Sequence, residues 1–554
     1  SGGLGIFAGS DGQATVSGAL SEWTMNPAPG SGSLLVGGAG LGLLTVDSGG
    51  SVRVTGPGQA IIGREAGSDG SIRVRGVGSA VNLRPASTIV GQRGKGTIEV
   101  DTAAEFQADR LMVGQSALDN RVTASGQDTI LGVSTELVVG DGGRGTLLLQ
   151  RGGQGVVKRL VVGRESQADN RVAVEGAGTK LSGSGRIDVG EQNGRGHFEM
   201  FDTAEARPGG GLSVGIYGGS RGTLLIDRQA FLITPADAIL GGGVSAQATA
   251  TVQGGGSLDA LDVLIFAQPS GTATMDVTGS SSSLDAARDL QVGFGREAAG
   301  PTLMRAGNGA FVSVGARLFV GKNGRFEVTG ARVKVGATDF PSAGIVRVGA
   351  GGSLRGSGRV QGKIEAVNGG KVSPGSSPGT LTLEGAYTQQ TGAQLEVEIA
   401  GTIADAEYDV LHVIEVATLG GTLAIYFVDG FAPTVGQSFR FLKADGGISG
   451  SFGNIEISGL APGFLYTLVP DGGGGLSLLA QNNGVATTTP PLAIARGSAS
   501  IAVSWPATGT WILESTFSLN ENWLPVSKEP ILENDRYVVT LPTTEASSFF
   551  RLRR

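Results

Sequence analysis

The chain has 554 residues, of which 98 are Gly and none is Cys, and its formal net charge at pH 7 is −7. Hydrophobic residues still make up 40% of the chain, too many for a simple disordered linker, and Gly has no strict three-residue period, which excludes collagen. The lack of Cys excludes a disulfide scaffold and a Cys nucleophile, and the mild acidity argues against a nucleic-acid partner.

Residues 1–29 are predicted to form an N-terminal segment with an incomplete first coil. The chain opens on SGGLGIFAGS without the basic and apolar regions of a signal peptide, so we expect a mature terminus from which that peptide has been removed. Leu4, Ile6 and Phe7 give this start a short apolar character, and we predict that they contact a partner by adding a strand to a neighbouring subunit. The sequence contains no run of 18 apolar residues, so it predicts no transmembrane helix.

Residues 30–371 contain a tandem repeat. Each copy has an apolar step that ends in Gly, such as LLVG, LVVG or LFVG, and successive copies are separated by 23 to 28 residues. One copy, LIFA ending at Ala267, is degenerate. The structural repeat glycines that this pattern predicts are Gly37, Gly63, Gly91, Gly114, Gly140, Gly163, Gly190, Gly215, Gly241, Gly293, Gly321 and Gly349.

Each repeat contains three short segments with alternating apolar residues, separated by Gly-containing turns, and this pattern predicts β-strands. A single repeat cannot bury its apolar face, whereas stacked repeats align Val, Leu and Ile into a continuous core. Gly suits the corners because it readily adopts positive φ. The sequence therefore predicts an all-β fold, a right-handed parallel β-helix (β-solenoid) of about 13 or more coils and on the order of 60 Å long. A β-propeller would need longer repeats.

From residue 372 the pattern changes to VSPGSSPGTLTLEGAYTQQ, and later to YDVLHV, GGTLAI and DGFAPTVG. This stretch resembles the C-terminal part of autotransporter passenger domains. The matching positions are Pro374, Gly375, Gly379, Thr380, Leu381, Tyr387, Thr388, Gln389, Asp409, Leu411, Val413, Gly430, Phe431 and Pro433. The resemblance implies an exported β-helix, with residues 372–480 as its passenger-like C-terminal region or cap. An autotransporter continues into an outer-membrane barrel, which we expect this protein to lack.

Residues 481–491 are predicted to be a linker, because they are polar and end in a Pro pair. Residues 492–554 contain Trp505, Trp511 and Trp523, and they resemble the small C-terminal β modules of secreted proteins of Verrucomicrobia-type bacteria. We expect a compact β-sandwich here. The basic end, Arg551, Arg553 and Arg554, is interpreted as a solvated tail, with a sorting signal as the alternative.

Candidate carboxylates for catalysis occur in DTAAEF, with Asp101 and Glu105, and in FDTAEARP, with Asp202, Glu205 and Arg207. Glycosidases need two carboxyl groups close together. These two groups occupy equivalent positions about four coils apart, or ~19 Å along the axis, so we interpret them as turn residues.

The remaining polar candidates also favour structural roles. His197 and His412 lie in alternating strand patterns, the Asp119–Asn120 and Asp169–Asn170 pairs are typical of capped turns rather than calcium sites, and the GGRG run at Gly142 precedes no helix that could bind phosphate. We therefore predict no catalytic residue, cofactor or metal.

The sequence favours a non-enzymatic extracellular structural protein, a β-solenoid subunit that assembles head-to-tail into a surface or matrix filament. Its predicted partner is another copy of the same chain, because a solenoid end exposes unpaired strand edges. A monomeric rod-like adhesin that binds a glycan or a cell surface is the first alternative. A polysaccharide-active β-helix enzyme is the second, and it predicts carboxylates within ~10 Å on one face.

Overall fold

A computed structural model describes residues 2–27, 32–84, 86–116, 118–293, 299–336, 344–375, 378–486, 492–496, 500–506, 511–516, 523–526, 528–533, 536–542 and 549–553. These residues form β-strands, turns and bends, and no helix occurs among them. It follows that no described segment is a helix able to cross a membrane. The chain divides into two compact units. The first comprises Ser1–Ile425, Ser438–Glu456 and Leu468–Leu478, and the second Tyr426–Gln437, Ile457–Thr467 and Leu479–Arg554.

The first unit is a β-solenoid, as predicted. Its strands pair in parallel with strands of the preceding and following repeats, and each coil contributes one strand to each of three ladders, named A, B and C in chain order. Ladder A contains the repeat step that ends in Gly. The strands of ladder A are Gly2–Leu4, Gly32–Val36, Gln59–Ile62, Ser87–Val90, Leu160–Arg164, Ile187–Glu191, Leu212–Val214, Ala238–Gly241, Val263–Phe266, Asp289–Val292, Arg317–Val320, Ile345–Val348, Lys363–Ala366, Tyr387–Gln389, Ala417–Leu419 and Ile448–Gly450.

Ladders B and C complete each coil. The strands of ladder B are Asp11–Ser17, Leu41–Asp47, Asp69–Arg75, Lys95–Asp101, Asn120–Ser125, Gly145–Gln150, Asn170–Glu175, Arg195–Phe201, Arg221–Ile226, Gln247–Val252, Thr272–Thr278, Thr302–Gly307, Lys371–Pro374 and Gln394–Ile399. The strands of ladder C are Glu22–Met25, Ser51–Val54, Ala80–Asn82, Gln154–Val157, Lys180–Gly183, Glu205–Pro208, Phe231–Ile233, Ser257–Ala260, Ser283–Ala286, Phe311–Val314, Thr380–Leu383, Val410–Val413 and Ser438–Ala444.

Four longer strands continue around a corner and belong to two ladders. Glu105–Val113 and Ile130–Asp141 run from ladder C into ladder A, whereas Gly324–Val335 and Ser353–Gln361 run from ladder B into ladder C. Thr422–Phe427 and Asn454–Ser458 continue ladder B after Gln394–Ile399, and Gly475–Ala480 pairs with the ladder C strand Ser438–Ala444. The chain also forms the strand Tyr466–Asp471.

The core lies inside the coils, where every second residue of a strand points inward. In ladder B, Leu44 and Val46 pair in register with Ile72 and Val74 of the next coil, and all four side chains are buried. Because the same positions recur in each repeat, these residues form continuous apolar columns along the solenoid. The alternation of apolar and polar residues in the sequence thus corresponds to the inward and outward positions of each strand.

In the second unit, the last part of the chain forms two antiparallel sheets. The strands Ala493–Arg496, Ser500–Pro506, Arg536–Pro542 and Ile531–Glu533 form one sheet, and Leu524–Pro525, Ile512–Thr516 and Phe549–Arg553 form the other. Val503, Trp505 and Val539 from the first sheet share a buried apolar cluster with Leu513 and Leu552 from the second. The sandwich and the linker boundaries stay predictions, and residues 487–491 of the linker lie outside the described residues.

The basic end of the chain differs from the expected solvated tail. Arg551 and Arg553 belong to a paired strand, and their guanidinium groups lie 2.8 Å and 2.5 Å from the carboxylate of Glu514. Arg551 also lies over the ring of Trp523, with its Cζ 4.5 Å from the ring centroid. These two arginines therefore contact Glu514 of the neighbouring strand instead of forming a free tail. Arg554 lies outside the described residues.

Candidate functional site

The repeat glycines lie where a ladder A strand ends and the chain turns. Ten of them have φ between 59° and 84°, in the left-handed region, which a residue with a Cβ adopts only with strain. They are Gly37, Gly63, Gly91, Gly114, Gly140, Gly163, Gly190, Gly215, Gly241 and Gly293. A second constraint is steric: a Cβ on Gly163 would lie 2.0 Å from the carbonyl oxygen of Arg195 in the next coil. The positive φ at the corner and the short distance to the next coil therefore both require Gly at this position.

Gly321 and Gly349 depart from this prediction, because neither has φ in the left-handed region. At both positions a larger residue would meet the Phe319 side chain on the outer surface. A Cβ on Gly321 would lie 2.6 Å from Cε1 of Phe319, and a Cβ on Gly349 would lie 3.0 Å from Cε2 of the same ring. In these two coils the repeat glycines make room for an aromatic ring.

The N-terminal segment, which was predicted to add a strand to a neighbouring subunit, already pairs with the next coil of its own chain. Leu4 belongs to the strand Gly2–Leu4, which pairs in register with Leu34–Val36 of the next coil. Ile6 and Phe7 lie in the turn that follows, and they are 46% and 76% exposed. With Asp11–Ser17 and Glu22–Met25, this strand gives the first coil all three of its ladder positions. The apolar residues are therefore part of the terminal coil itself.

The two carboxylate groups predicted to be turn residues lie far apart. Pairings from Glu105 through Ile130, Gln154 and Lys180 lead to Glu205, which places the two glutamates four coil steps apart in ladder C. Near the first, Asp101 accepts a 2.6 Å hydrogen bond from Thr102.

Near the second, Asp202 has φ 56° and lies 3.2 Å from the guanidinium of Arg228. A hydrogen bond from Arg207 lowers the pKa of Glu205. Both groups thus serve their own turn or a local ion pair.

Asn120 and Asn170, from the two Asp-Asn pairs, are buried and join three successive coils. The Oδ1 of Asn120 accepts the N–H of Gly96 at 2.9 Å, and its Nδ2 donates to the carbonyl of Arg144 at 3.2 Å. Asn170 repeats the arrangement with the N–H of Gly145 and the carbonyl of Arg195. Turn capping was therefore the better interpretation of these pairs, and the Asn of each pair performs it. Among the described residues, no three His, Asp or Glu side chains meet as a metal site.

The two histidines each contact a carboxylate near the surface. His197 lies 3.7 Å from Asp169, and His412 lies 2.9 Å from Asp445 and 3.2 Å from Lys443 of the next coil. The hydrogen bonds from Lys443 and His412 lower the pKa of Asp445. These contacts are typical of exposed ion pairs.

A larger cluster of charged side chains, which was not among the sequence predictions, covers the outer face of ladder A. Three outward columns run side by side here. The first comprises Arg110, Glu136, Arg159 and Arg186, the second Met112, Val138, Val161 and Asp188, and the third Gln115, Asp141, Arg164 and Glu191. The charged residues of the first and third columns are referred to as the ion-pair lattice.

The ion-pair lattice crosses over the apolar column between its two sides. Glu136 lies 2.6 Å from Arg164, and Arg159 lies 2.8 Å from Glu191, so both contacts join the first column to the third. Beneath them Val138 and Val161 have no exposed surface, although they point away from the core of the solenoid. The lattice therefore seals an apolar strip on the outer face.

The electrostatics of the lattice favour fully charged partners. Burial alone would raise the pKa of Glu136, but the hydrogen bond from Arg164 and the charges of Arg164, Arg110 and Arg159 lower it to about 2. Asp188, which is buried in the middle column, is bonded by Arg159 at 2.8 Å. Because these carboxylates are already bound by guanidinium groups, the arrangement stabilises structure rather than supplying a general acid or base.

The sequence did contain a signal for this lattice. The residue before successive repeat steps is Arg110, Glu136, Arg159 and Arg186, so Glu136 has an opposite charge to its neighbours in the copies on both sides. Stacked equivalent positions lie ~4.8 Å apart, so such a change of sign between repeats predicts ion pairs between coils.

A second group of acids lies on the outer face of ladder C. Asp259 and Asp285 pair in register in adjacent coils. Burial raises the pKa of both, and the charge of Asp285 raises that of Asp259 further. This carboxylate pair is the feature that a polysaccharide-active enzyme would require.

In the passenger-like region, Asp409 is buried and accepts the backbone N–H groups of Gly379 at 3.0 Å and Glu398 at 2.9 Å. Burial raises its pKa to about 7. The motif position therefore joins neighbouring segments of the fold.

The stacked parallel coils define the first unit as a β-solenoid. No protein-family model matches the sequence, and no curated protein matches it. Among solved structures, the chain aligns with a TibA fragment that was hyper-glycosylated by TibC, at 14% identity over 74% of this chain and 100% of the fragment, with a TM-score of 0.21. A likeness of this degree assigns neither a family nor an activity to the chain.

Proposed function

We propose that this protein is a non-enzymatic structural β-solenoid that assembles outside the cell by stacking the first coil of one copy on the last coil of another. The observation that carries the proposal is the open first coil. In Asp11–Ser17 the inward residues Ala14 and Val16 are only half-buried, whereas their partners Leu44 and Val46 are fully buried. Among the described residues, the apolar core therefore ends without a cover on this side.

The surroundings of this end favour a partner with the same geometry. Leu20 is fully exposed, and Phe7 is 76% exposed. At the other end of ladder A, Ile448–Gly450 is half-buried to exposed and pairs with Ala417–Leu419. A parallel coil placed on the first one would continue three ladders and the apolar columns at once. Because such a contact is heterologous, repetition produces a filament rather than a closed dimer. The location outside the cell rests on the passenger-like motif.

The test compares two substitutions on one strand of the first coil. Val16→Glu places a charge in the open core, whereas Thr15→Glu places the same charge on the exposed outer face of the same strand. We expect filaments of the parent chain and of Thr15→Glu by electron microscopy, and single particles of Val16→Glu. Filaments of Val16→Glu would overturn the proposal. A parent chain that is monomeric by light scattering would favour the adhesin, and a closed dimer would indicate contacts between like ends.

The pair Asp259 and Asp285 supports a polysaccharide-active enzyme as the second candidate, because acids stacked ~4.8 Å apart approach the separation found in retaining glycosidases. The test measures new reducing ends after incubation with plant and bacterial polysaccharides. Cleavage that Asp285→Asn abolishes would establish the enzyme, and no cleavage would exclude these substrates.

A further inference from the structure

The outer face of ladder A contains a groove of about 680 Å³ between residues 289 and 367, far along the chain from the ion-pair lattice. Four successive strands contribute to it, and their middle outward positions hold Gln291, Phe319, Arg347 and Glu365 in register. Since stacked strands lie ~4.8 Å apart, these side chains extend over about 14 Å along the solenoid. The groove therefore suits an extended chain that runs parallel to the axis.

Phe319 is the apolar centre of the groove. Its ring is half-buried, and Gly321 and Gly349 leave space for it, since a Cβ on either would lie 3.0 Å or less from a ring atom. Ile345 and Val367 also line the groove. Neither glycine has the left-handed φ of the other repeat corners, and the space beside both is occupied by the aromatic ring.

The charged groups around Phe319 are not equivalent. Arg317 bonds the buried carboxylate of Asp289 at 2.6 Å, and Glu365 lies 2.9 Å from Lys363. Arg347 is exposed and has no ion-pair partner within 4 Å among the described residues. One guanidinium in this groove is therefore available to an external anion.

We propose that this groove binds an acidic polysaccharide, with Phe319 against the apolar face of a sugar ring and Arg347 on its carboxylate. A sugar ring has C–H groups on its faces and hydroxyls around its edge, which match an aromatic ring flanked by amide, carboxylate and guanidinium groups. A carboxylate on the sugar is the group that a guanidinium binds with two parallel hydrogen bonds. Regularly spaced sugar rings also fit a row of side chains along the axis.

Isothermal titration calorimetry with oligogalacturonate, a neutral cello-oligosaccharide and polyglutamate tests the proposal on the full chain. We expect binding of oligogalacturonate that Phe319→Ala and Arg347→Ala each weaken by at least about tenfold. Leu264→Ala, at the same outward column two coils earlier, and Arg75→Ala, an exposed charge in ladder B, are controls that leave binding unchanged.

The variant Gly349→Ala tests whether the position of the Phe319 ring matters, because it keeps the ring but displaces it. The added methyl meets Phe319 rather than the backbone, so we expect weaker binding in a folded protein. Stronger binding of polyglutamate would indicate an acidic peptide instead and overturn the proposal. So would equal affinity for the neutral oligosaccharide, no binding of oligogalacturonate, or binding that both Phe319→Ala and Arg347→Ala leave intact.

Discussion

The same outer face of ladder A is closed in one region and open in another. Around Val138 and Val161, long charged side chains from both flanking columns meet above the apolar strip. Around Phe319, Ala350 occupies the place that Arg164 or Glu191 occupies in the lattice, and no equivalent contact crosses the groove among the described residues. The residue that follows the repeat Gly therefore decides whether a coil has a sealed outer face, as with Arg164 and Glu191, or an open groove, as with Ala350.

The largest effect is expected at the repeat glycines, which have different roles in the two regions. Gly163→Ala combines φ of 75° with a collision against the next coil, and we expect it to lower the free energy of unfolding by about 3 kcal/mol or more. Gly349→Ala should cost less than about 1 kcal/mol. Urea denaturation followed by circular dichroism measures both.

Gly142→Ala is the control for this comparison, because Gly142 has φ of 80° but no atom within 4 Å of an added Cβ. Backbone strain alone should cost about 1 kcal/mol there. Equal losses for Gly142→Ala and Gly163→Ala would show that contact between coils contributes nothing.

A smaller effect is expected when the lattice loses its central carboxylate. Glu136→Gln leaves Arg110, Arg159 and Arg164 without their shared partner, so we expect a loss of about 2–3 kcal/mol in the free energy of unfolding. Glu65→Gln removes the more exposed carboxylate near Arg64 and Arg93 and should cost about 0–1 kcal/mol. The lattice would be unimportant to stability if the two losses were equal.

The lattice should also respond to acid. Because the pKa of Glu136 is about 2 in the folded protein and 4.5 ordinarily, its ionised form stabilises the fold fully above pH 4.5. That contribution should fall as the pH decreases toward 2. Thermal unfolding of the parent chain should therefore lose more stability over this range than that of Glu136→Gln. Parallel curves for the two proteins would contradict the assignment.

The smallest change in stability is expected from an attempt to close the groove. Ala350→Glu places a carboxylate at the column position of Glu191, within the groove that contains Arg347. We expect stability to change by less than about 0.5 kcal/mol, while oligogalacturonate binding is lost. Unchanged binding, measured by calorimetry with Ala350→Gln as the uncharged control, would show that the open third column does not define the groove.

Several features could be predicted because they depend on residues near one another in sequence. The alternation of Leu44 and Val46 predicts an inward face, and the Gly that follows each step predicts a corner at Gly37 or Gly163. The turn role of Asn170 also follows from its position at the start of a strand. In each case, strand geometry and the steric freedom of Gly act within a few residues.

Other features depend on which coils become neighbours. The pairing of Leu4 with Val36 places the segment that was predicted to contact a neighbouring subunit in the first coil of its own chain. The contact between Glu136 and Arg164 joins different columns of adjacent repeats, and Phe319 reaches glycines of its own coil and the next. By itself, the sequence determined a stack of parallel coils with Gly at its corners, because strand alternation and positive φ are local properties. Only the tertiary structure decided where the outer face is sealed and where it is open, because that depends on the length and charge of side chains in neighbouring coils, whose repeat glycines are 23 to 28 residues apart in the sequence.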